Sequence, residues 1–282
     1  MRITRITPVY YINLDDSQKR RNNIVETLTR LGFTNINRIS AINTRTIQKV
    51  NNYKNLIEPF HYKTLLEDNK LGKRHFFGAL TNGSVGCYLS HLEAYKQIIA
   101  NNNENALIFE DDAIIDIPTD IFWDRINKLY IPGDTDIYLL DGTYYDKITH
   151  INKNTYKIFR FTGLYSYLIT NKSAQKLLTY LSPIKYQIDF DISILISAGL
   201  QKVYGYKGPS ITHHDYGIFD TTIQNLNCKS CYMPNLQQEA LNKSKIIEPF
   251  GNVIQYQNVE VILSIIILIM LLAIFFFYKL FN

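Results

Sequence analysis

Short apolar runs alternate along this chain with stretches of helical period, and the sharpest of the runs ends in acid. Leu107, Ile108 and Phe109 have the character of a strand buried on both faces of a sheet, and the run stops abruptly at Glu110-Asp111-Asp112. Before it, residues 8–14 predict a first strand, and Asp15-Asp16-Ser17 supplies a helix N-cap signal. Ile24, Leu28 and Leu31 then recur at i, i+4 and i+7, Gly32 closes that helix, and residues 36–42 predict a second strand. Residues 43–76 are polar with a poor period and predict a long irregular excursion that covers a site. A Gly-containing turn over 78–86 leads into a helix from about Ser84 to Ile99, with Val85, Leu89, Leu92, Tyr95 and Ile99 on one face.

Beyond the acidic strand, residues 136–141 predict a second buried strand ending in a carboxylate, Asp141 before Gly142. Residues 159–170 read as another strand, residues 173–181 as a helix stopped by Pro183, and residues 192–198 as an apolar helix preceded by Asp189 and Asp191. Residues 203–206 form a last short strand, with His213 and His214 shortly after it. Strand, helix, strand within forty residues opens a doubly wound α/β fold with a mainly parallel sheet flanked by helices. Residues 261–277 differ in kind: uncharged, with one Ser, and extended by Tyr278, they reach the length of a bilayer core. The reading is a domain over 1–250, a polar linker over 251–258 and a single transmembrane helix over 259–281. With no signal peptide at the start, this predicts a cytosolic domain on a C-terminal anchor.

Composition adds little that is specific. The formal charge of +5 is spread without a dense basic tract, which suits an anionic ligand or membrane surface and gives no argument for nucleic acid. Of three cysteines, Cys87 reads as a core thiol. Cys228 and Cys231 form a lone C-x-x-C open to three readings: free thiols, which the loop context favours, a disulfide, or half a metal site.

The candidate chemistry gathers at strand ends. Ligands of open α/β sheets sit outside the carboxyl ends of the strands, and a cluster such as Glu110, Asp111 and Asp112 is held most readily around a cation, with a solvated acidic turn after a core strand as the alternative. Oxygen donors of this kind suit Mg²⁺ or Mn²⁺, which in turn hold a diphosphate. Asn13, Asp15, Arg20 and Arg21 fall at the first strand-to-helix junction, where a nucleotide docks or, alternatively, where a turn is capped and a basic face solvated. Ser90 and His91, within the long helix, and Asp111 are further candidates for cofactor binding, with a structural role as the other reading of His91.

These residues, in order, resemble glycosyltransferase family 25, which includes bacterial lipooligosaccharide galactosyltransferases and collagen β-galactosyltransferases. The likeness is carried by Tyr11-Ile12-Asn13-Leu14-Asp15 with Arg20-Arg21; by Leu80-Thr81, Gly86-Cys87 and Ser90-His91-Leu92; by residues 106–112; and by residues 167–170 with Ala174, Leu177 and Leu178. The resemblance implies a GT-A fold, a UDP-sugar donor such as UDP-galactose, Mn²⁺ at Glu110 and Asp112, and inversion at the anomeric carbon. It also implies a hydroxyl of a glycan or protein as acceptor. Ser84 departs from the family's frequent Glu, and the pair His213-His214 stands near a more usual Gln. A late histidine, His214 before His213, is expected to complete the metal site, with a solvent-exposed pair as the alternative. In an inverting displacement a carboxylate takes the acceptor proton; Asp189 and Asp191 are the late acids in place for it, with helix capping as the other reading of Asp191. The competing classes are a Mg²⁺-dependent phosphoryl-transfer enzyme, for which no P-loop is present, and a silent membrane-bound binding module.

Overall fold

The computed structural model describes residues 1–145, 149–214 and 226, all within the first of two compact units, 1–236 and 237–282. The chain opens with β1 (Val9–Asn13), α1 (Gln18–Arg30) and β2 (Ile36–Ser40). It continues through α2 (Ile47–Asn51), a 3₁₀ turn (Lys54–Leu56), α3 (Pro59–Leu71) and α4 (Asn82–Ala100). The central part holds β3 (Asn105–Glu110), β4 (Ala113–Ile114), α5 (Thr119–Asn127) and β5 (Ile137–Leu139). Four short strands follow, β6 (Thr143–Tyr145), β7 (Thr149–His150), β8 (Thr155–Ile158) and β9 (Arg160–Thr162). The last elements are β10 (Ser166–Thr170), α6 (Asn171–Tyr180), α7 (Ile188–Ser197), β11 (Val203–Tyr206) and β12 (His213–His214).

Eight strands form the central sheet in the order β2-β1-β3-β10-β5-β11-β8-β7. Alternating side chains feed two cores. Tyr10 and Ile12 of β1 and Ala106 and Ile108 of β3 pack with α4, α6 and α7 on one face, while Val9, Tyr11, Leu107 and Phe109 pack with α1 and α5 on the other. That two-sided burial is why residues 107–109 are apolar without a break. Each such side chain contributes roughly 1.5–3 kcal/mol on burial, enough for β3 to hold carboxylates at its end.

The sheet is mixed, which corrects the expected mainly parallel one. β10 runs antiparallel to both β3 and β5, and β8 antiparallel to β11 and β7. The reason is topological. After β5 the chain passes through β6 and then β7 and β8 at the far side of the sheet, and β9, paired with β6, leads directly into β10, whose first residue Ser166 stands opposite Phe109 near the carboxyl end of β3. The strands that matter for the site, β1, β3 and β5, still end on the same side.

Three local expectations also change. The stretch 43–76 is largely helical: Glu58 caps α3 by accepting from the amide of His61, Pro59 stands at its first position, and Gly72 closes it at φ 66°. Strand 159–170 divides at Gly163, whose φ of 90° turns the chain between β9 and β10. α7 begins at Ile188, so Asp189 and Asp191 lie in its first turn, where the helix dipole favours acid. No helix among the described residues is long and apolar enough to cross a membrane. Cys228, Cys231, the linker 251–258 and the expected span 259–281 lie outside the described residues.

Candidate functional site

The site starts where β1 and β3 end side by side. Asn13 Nδ2 donates to Asp111 Oδ2 at 2.6 Å, and its Oδ1 accepts from Arg21 Nε at 2.9 Å and from Arg38 Nε at 3.3 Å. Arg20, from the first turn of α1, reaches both Asp111 (3.1 Å) and Asp112 (3.4 Å), with its side chain and both carboxylates only 10% exposed. Asp15 is exposed, and Arg38 Nη2 and Ser40 Oγ donate to it at 2.5 and 2.9 Å. Those contacts hold its carboxyl below the usual range, Arg38 foremost. Asn13, Arg20 and the acids line the cleft; Asp15 and Arg21 lie outside it and brace Asn13 and β2.

α4 forms the wall facing the end of β3. Ser90 Oγ accepts from the amide of Ile42 at 2.8 Å and donates to Gly86 O at 2.6 Å, fixing the segment after β2 against the helix. Gly86 itself makes that approach possible, since a Cβ there would stand 2.2 Å from Ile42 O. His91 is fully buried: Nε2 meets Glu110 Oε1 at 3.1 Å and Nδ1 meets the Tyr167 hydroxyl at 2.8 Å. It therefore holds Glu110 in position. Cys87, one turn earlier, places Sγ 3.8 Å from the same oxygen, and burial first, then the Glu110 carboxylate, pushes its thiol well above the ordinary value.

The residues after β3 bring the late histidines in. β4 pairs with β12 so that His214 stands opposite Ala113, and His214 Nε2 lies 3.5 Å from Asp112 Oδ2. His213, on the other side of the strand, lies 3.8 Å from the exposed Asp116 and away from the acids. Asp189, at the start of α7, accepts from the amides of Gly163 (3.2 Å) and Phe190 (2.8 Å). Asp191 is fully buried, accepting from the Tyr88 hydroxyl at 3.0 Å and from the amides of Lys185 and Tyr186 at 3.4 Å. It lies outside both cavities, which corrects its candidacy as a base: it ties α4 to the chain entering α7.

Two cavities meet at these acids. A slot of about 60 Å³ runs between Asn13, Arg20, residues 41–45 of the segment after β2, and Ser90. A wider cavity of about 360 Å³ is lined by Arg74, Phe77, Tyr165, Gln187, Asp189 and His214, within the size range of ligand pockets. Cys87, Glu110 and Asp112 line both. Burial dominates the electrostatics: it raises Asp111 to about 6 against the pull of Asn13 and Arg20, and Asp189 to about 6 against its two amides. Asp112 Oδ1 is buried with no hydrogen-bond donor among the described residues. Buried carboxylates outnumbering their cations, with one oxygen unsatisfied, are what a divalent cation would complete. Glu110, Asp112 and His214 supply oxygen and imidazole donors suited to Mn²⁺ or Mg²⁺.

Residues 41–45, Arg38, Arg74 and Gln187 belong to the site without having been singled out from the sequence. Gly86 was the usable signal for the first group, as a helical glycine beside a cysteine requires close backbone approach. Residues 6–192 match the sequence profile of "Glycosyltransferase family 25 (LPS biosynthesis protein)", two-thirds of the chain. A curated relative from Aedes aegypti, named "Glycosyltransferase 25 family member", is 25% identical over 114 residues, covering 38% of this chain. The match spans only 16% of that relative's length.

Proposed function

Because the chain belongs to glycosyltransferase family 25, we propose that it transfers a hexose, galactose in the first instance, from a UDP-sugar to a hydroxyl of a glycan or protein acceptor, with inversion, on a GT-A-type domain. The observation that carries this reading is the meeting of slot and cavity at Glu110 and Asp112, with Asp189 in the wall of the wider cavity. The slot, edged by Asn13, Arg20 and the start of α4, has room for only a part of the nucleoside diphosphate, and the wider cavity suits the sugar and acceptor. Glu110, Asp112 and His214 would hold Mn²⁺, or Mg²⁺. Such an ion, when bound, stabilises the negative charge that develops on the departing diphosphate.

Asp189 is the general base in this reading. Its two backbone donors fix the carboxylate, and its placement in the acceptor half lets it take the hydroxyl proton as the oxygen attacks. Arg20 holds Asp111 and Asp112 apart and in place, and His91 does the same for Glu110. The apolar stretch 261–277 is proposed as a membrane anchor with the domain on the cytosolic side. The test is UDP binding by the full chain with and without Mn²⁺, followed by hydrolysis of UDP-sugars. Tighter UDP binding with Mn²⁺ and slow release of galactose from UDP-galactose are expected. Metal-independent UDP binding with no turnover of any UDP-sugar would overturn the reading.

A further inference from the structure

From the arrangement of Cys87, His91 and Glu110, we propose a second metal site, for a thiophilic divalent ion of the Zn²⁺ type, which shares Glu110 with the diphosphate-side ion and differs from it in the Cys87 and His91 ligands. Sγ, an imidazole nitrogen and a carboxylate oxygen of these residues all lie within 4.8 Å of one another. Glu110 Oε1 is 3.1 Å from His91 Nε2 and 3.8 Å from Cys87 Sγ. Zinc bonds of about 2.3 Å to sulfur and about 2.0–2.1 Å to nitrogen and oxygen imply ligand separations of roughly 3.3–3.6 Å in a tetrahedron. The two separations from Glu110 Oε1 therefore stand within a few tenths of an ångström of those a tetrahedral ion imposes.

The sequence builds this triangle from two elements. Cys87 and His91 are four residues apart on α4 and share a face, and Glu110 is the last residue of β3, the neighbouring strand end. The far nitrogen of His91 is already held by the Tyr167 hydroxyl at 2.8 Å, and Tyr167 is in turn bonded to Tyr95 at 3.0 Å. That outer partner is what orients metal-ligating histidines. A thiolate and a carboxylate against a doubly charged ion leave the buried group neutral, whereas an oxygen-seeking ion gains nothing from the sulfur. Coordination replaces the thiol proton, so each ion bound releases one proton to solvent. Cys87 and Glu110 line both cavities, so an ion held by them would border the place where the two meet.

The experiment uses the full chain in detergent with Cys228→Ser and Cys231→Ser, which leaves Cys87 the one thiol of the three. Co²⁺ serves as the spectroscopic probe and Zn²⁺ as competitor, with neither donor nor Mn²⁺ present. One equivalent of Co²⁺ is expected to give a thiolate-to-cobalt charge-transfer band that Zn²⁺ abolishes, and Zn²⁺ is expected to protect Cys87 from alkylation. Adding Cys87→Ser should remove the band, and His91→Gln should weaken Co²⁺ binding at least tenfold. No thiolate band in the doubly substituted protein, or alkylation unaffected by Zn²⁺, would overturn the site whether or not the Cys87 and His91 variants fold. Because these readouts use no sugar nucleotide, their failure leaves the glycosyl-transfer reading untouched, and failure of transfer leaves them interpretable.

Discussion

Three single residues carry the proposed chemistry, and each gives a measurable consequence. Asp189 takes up a proton near pH 6 because burial outweighs its two amide donors. As a base it must be ionised, so transfer is expected to fall about tenfold per pH unit below 6, and Asp189→Asn is expected to lose transfer while keeping UDP binding. The linkage has a definite sign: the folded carboxyl holds its proton more tightly than the unfolded one, so wild-type stability falls as pH rises from about 4 to about 6. Melting in chelator should show Asp189→Asn gaining on wild type across that window. A constant difference from pH 4 to 8 would show that this carboxylate is not buried at cost. Asp112→Asn should abolish the Mn²⁺ effect on UDP binding, since it removes the carboxylate with the unsatisfied oxygen; near-normal turnover at limiting Mn²⁺ would remove Asp112 from the metal site. His214→Ala should raise the Mn²⁺ requirement sharply and His213→Ala should leave it unchanged, because the strand sends the two rings to opposite sides. At this scale the sequence showed which acids end a strand. It could not show that Asp191 is consumed by Tyr88, a contact across 103 positions.

The elements explain why some of the site was legible and some was not. β3 announced itself because its two signals, an apolar run and an abrupt acidic end, are local and adjacent. α3 has only Leu65 and Asp68 buried, so periodicity is nearly silent, and its boundaries are written instead in Glu58-Pro59 and Gly72, cap signals that the polar composition obscured. α4 is the element most exposed to a single change. Its start is closed by a capping box, Ser84 N to Thr81 Oγ1 at 3.1 Å and Thr81 N to Ser84 Oγ at 2.7 Å. Ser84, where the resembled family often has Glu, thus completes the box as a shorter side chain. Thr81→Ala is expected to cost about 1 kcal/mol in denaturant titration. Gly86→Ala should do more, because its methyl would press on the backbone of Ile42 and on Thr44, residues that wall the slot. UDP affinity measured by calorimetry should drop with that variant while the Cys87 environment on the same helix persists. Unchanged affinity would mean that the slot does not bind the nucleotide.

For the whole molecule, strand direction was the hidden variable. Whether a strand pairs parallel or antiparallel depends on the edge from which the chain re-enters the sheet, and nothing inside residues 166–170 records that β10 starts beside the carboxyl end of β3. The convergence of strand ends survived because β1, β3 and β5 agree in direction despite β10 between them. The same long-range view bears on the tail. Among the described residues, both hydrophobic cores are built from residues between Ile3 and Ile211, and both cavities are lined by residues no later than His214. A chain ending before Val259 therefore keeps every described side chain that packs or lines the cleft, while losing the uncharged stretch proposed to enter lipid. Such a truncation is expected to stay monodisperse without detergent and to bind UDP as the full chain does. The sequons at Asn82 and Asn171 cannot report on sidedness, because Asn82, Ser84 and Ser173 are buried in the fold itself. Asn242, outside the described residues, is the informative one, and it should carry no glycan when the full chain is made in a glycosylating host. A glycan there would place the domain on the luminal side. Recovery of the truncated chain only as aggregate would mean that the apolar stretch covers protein instead of entering a bilayer.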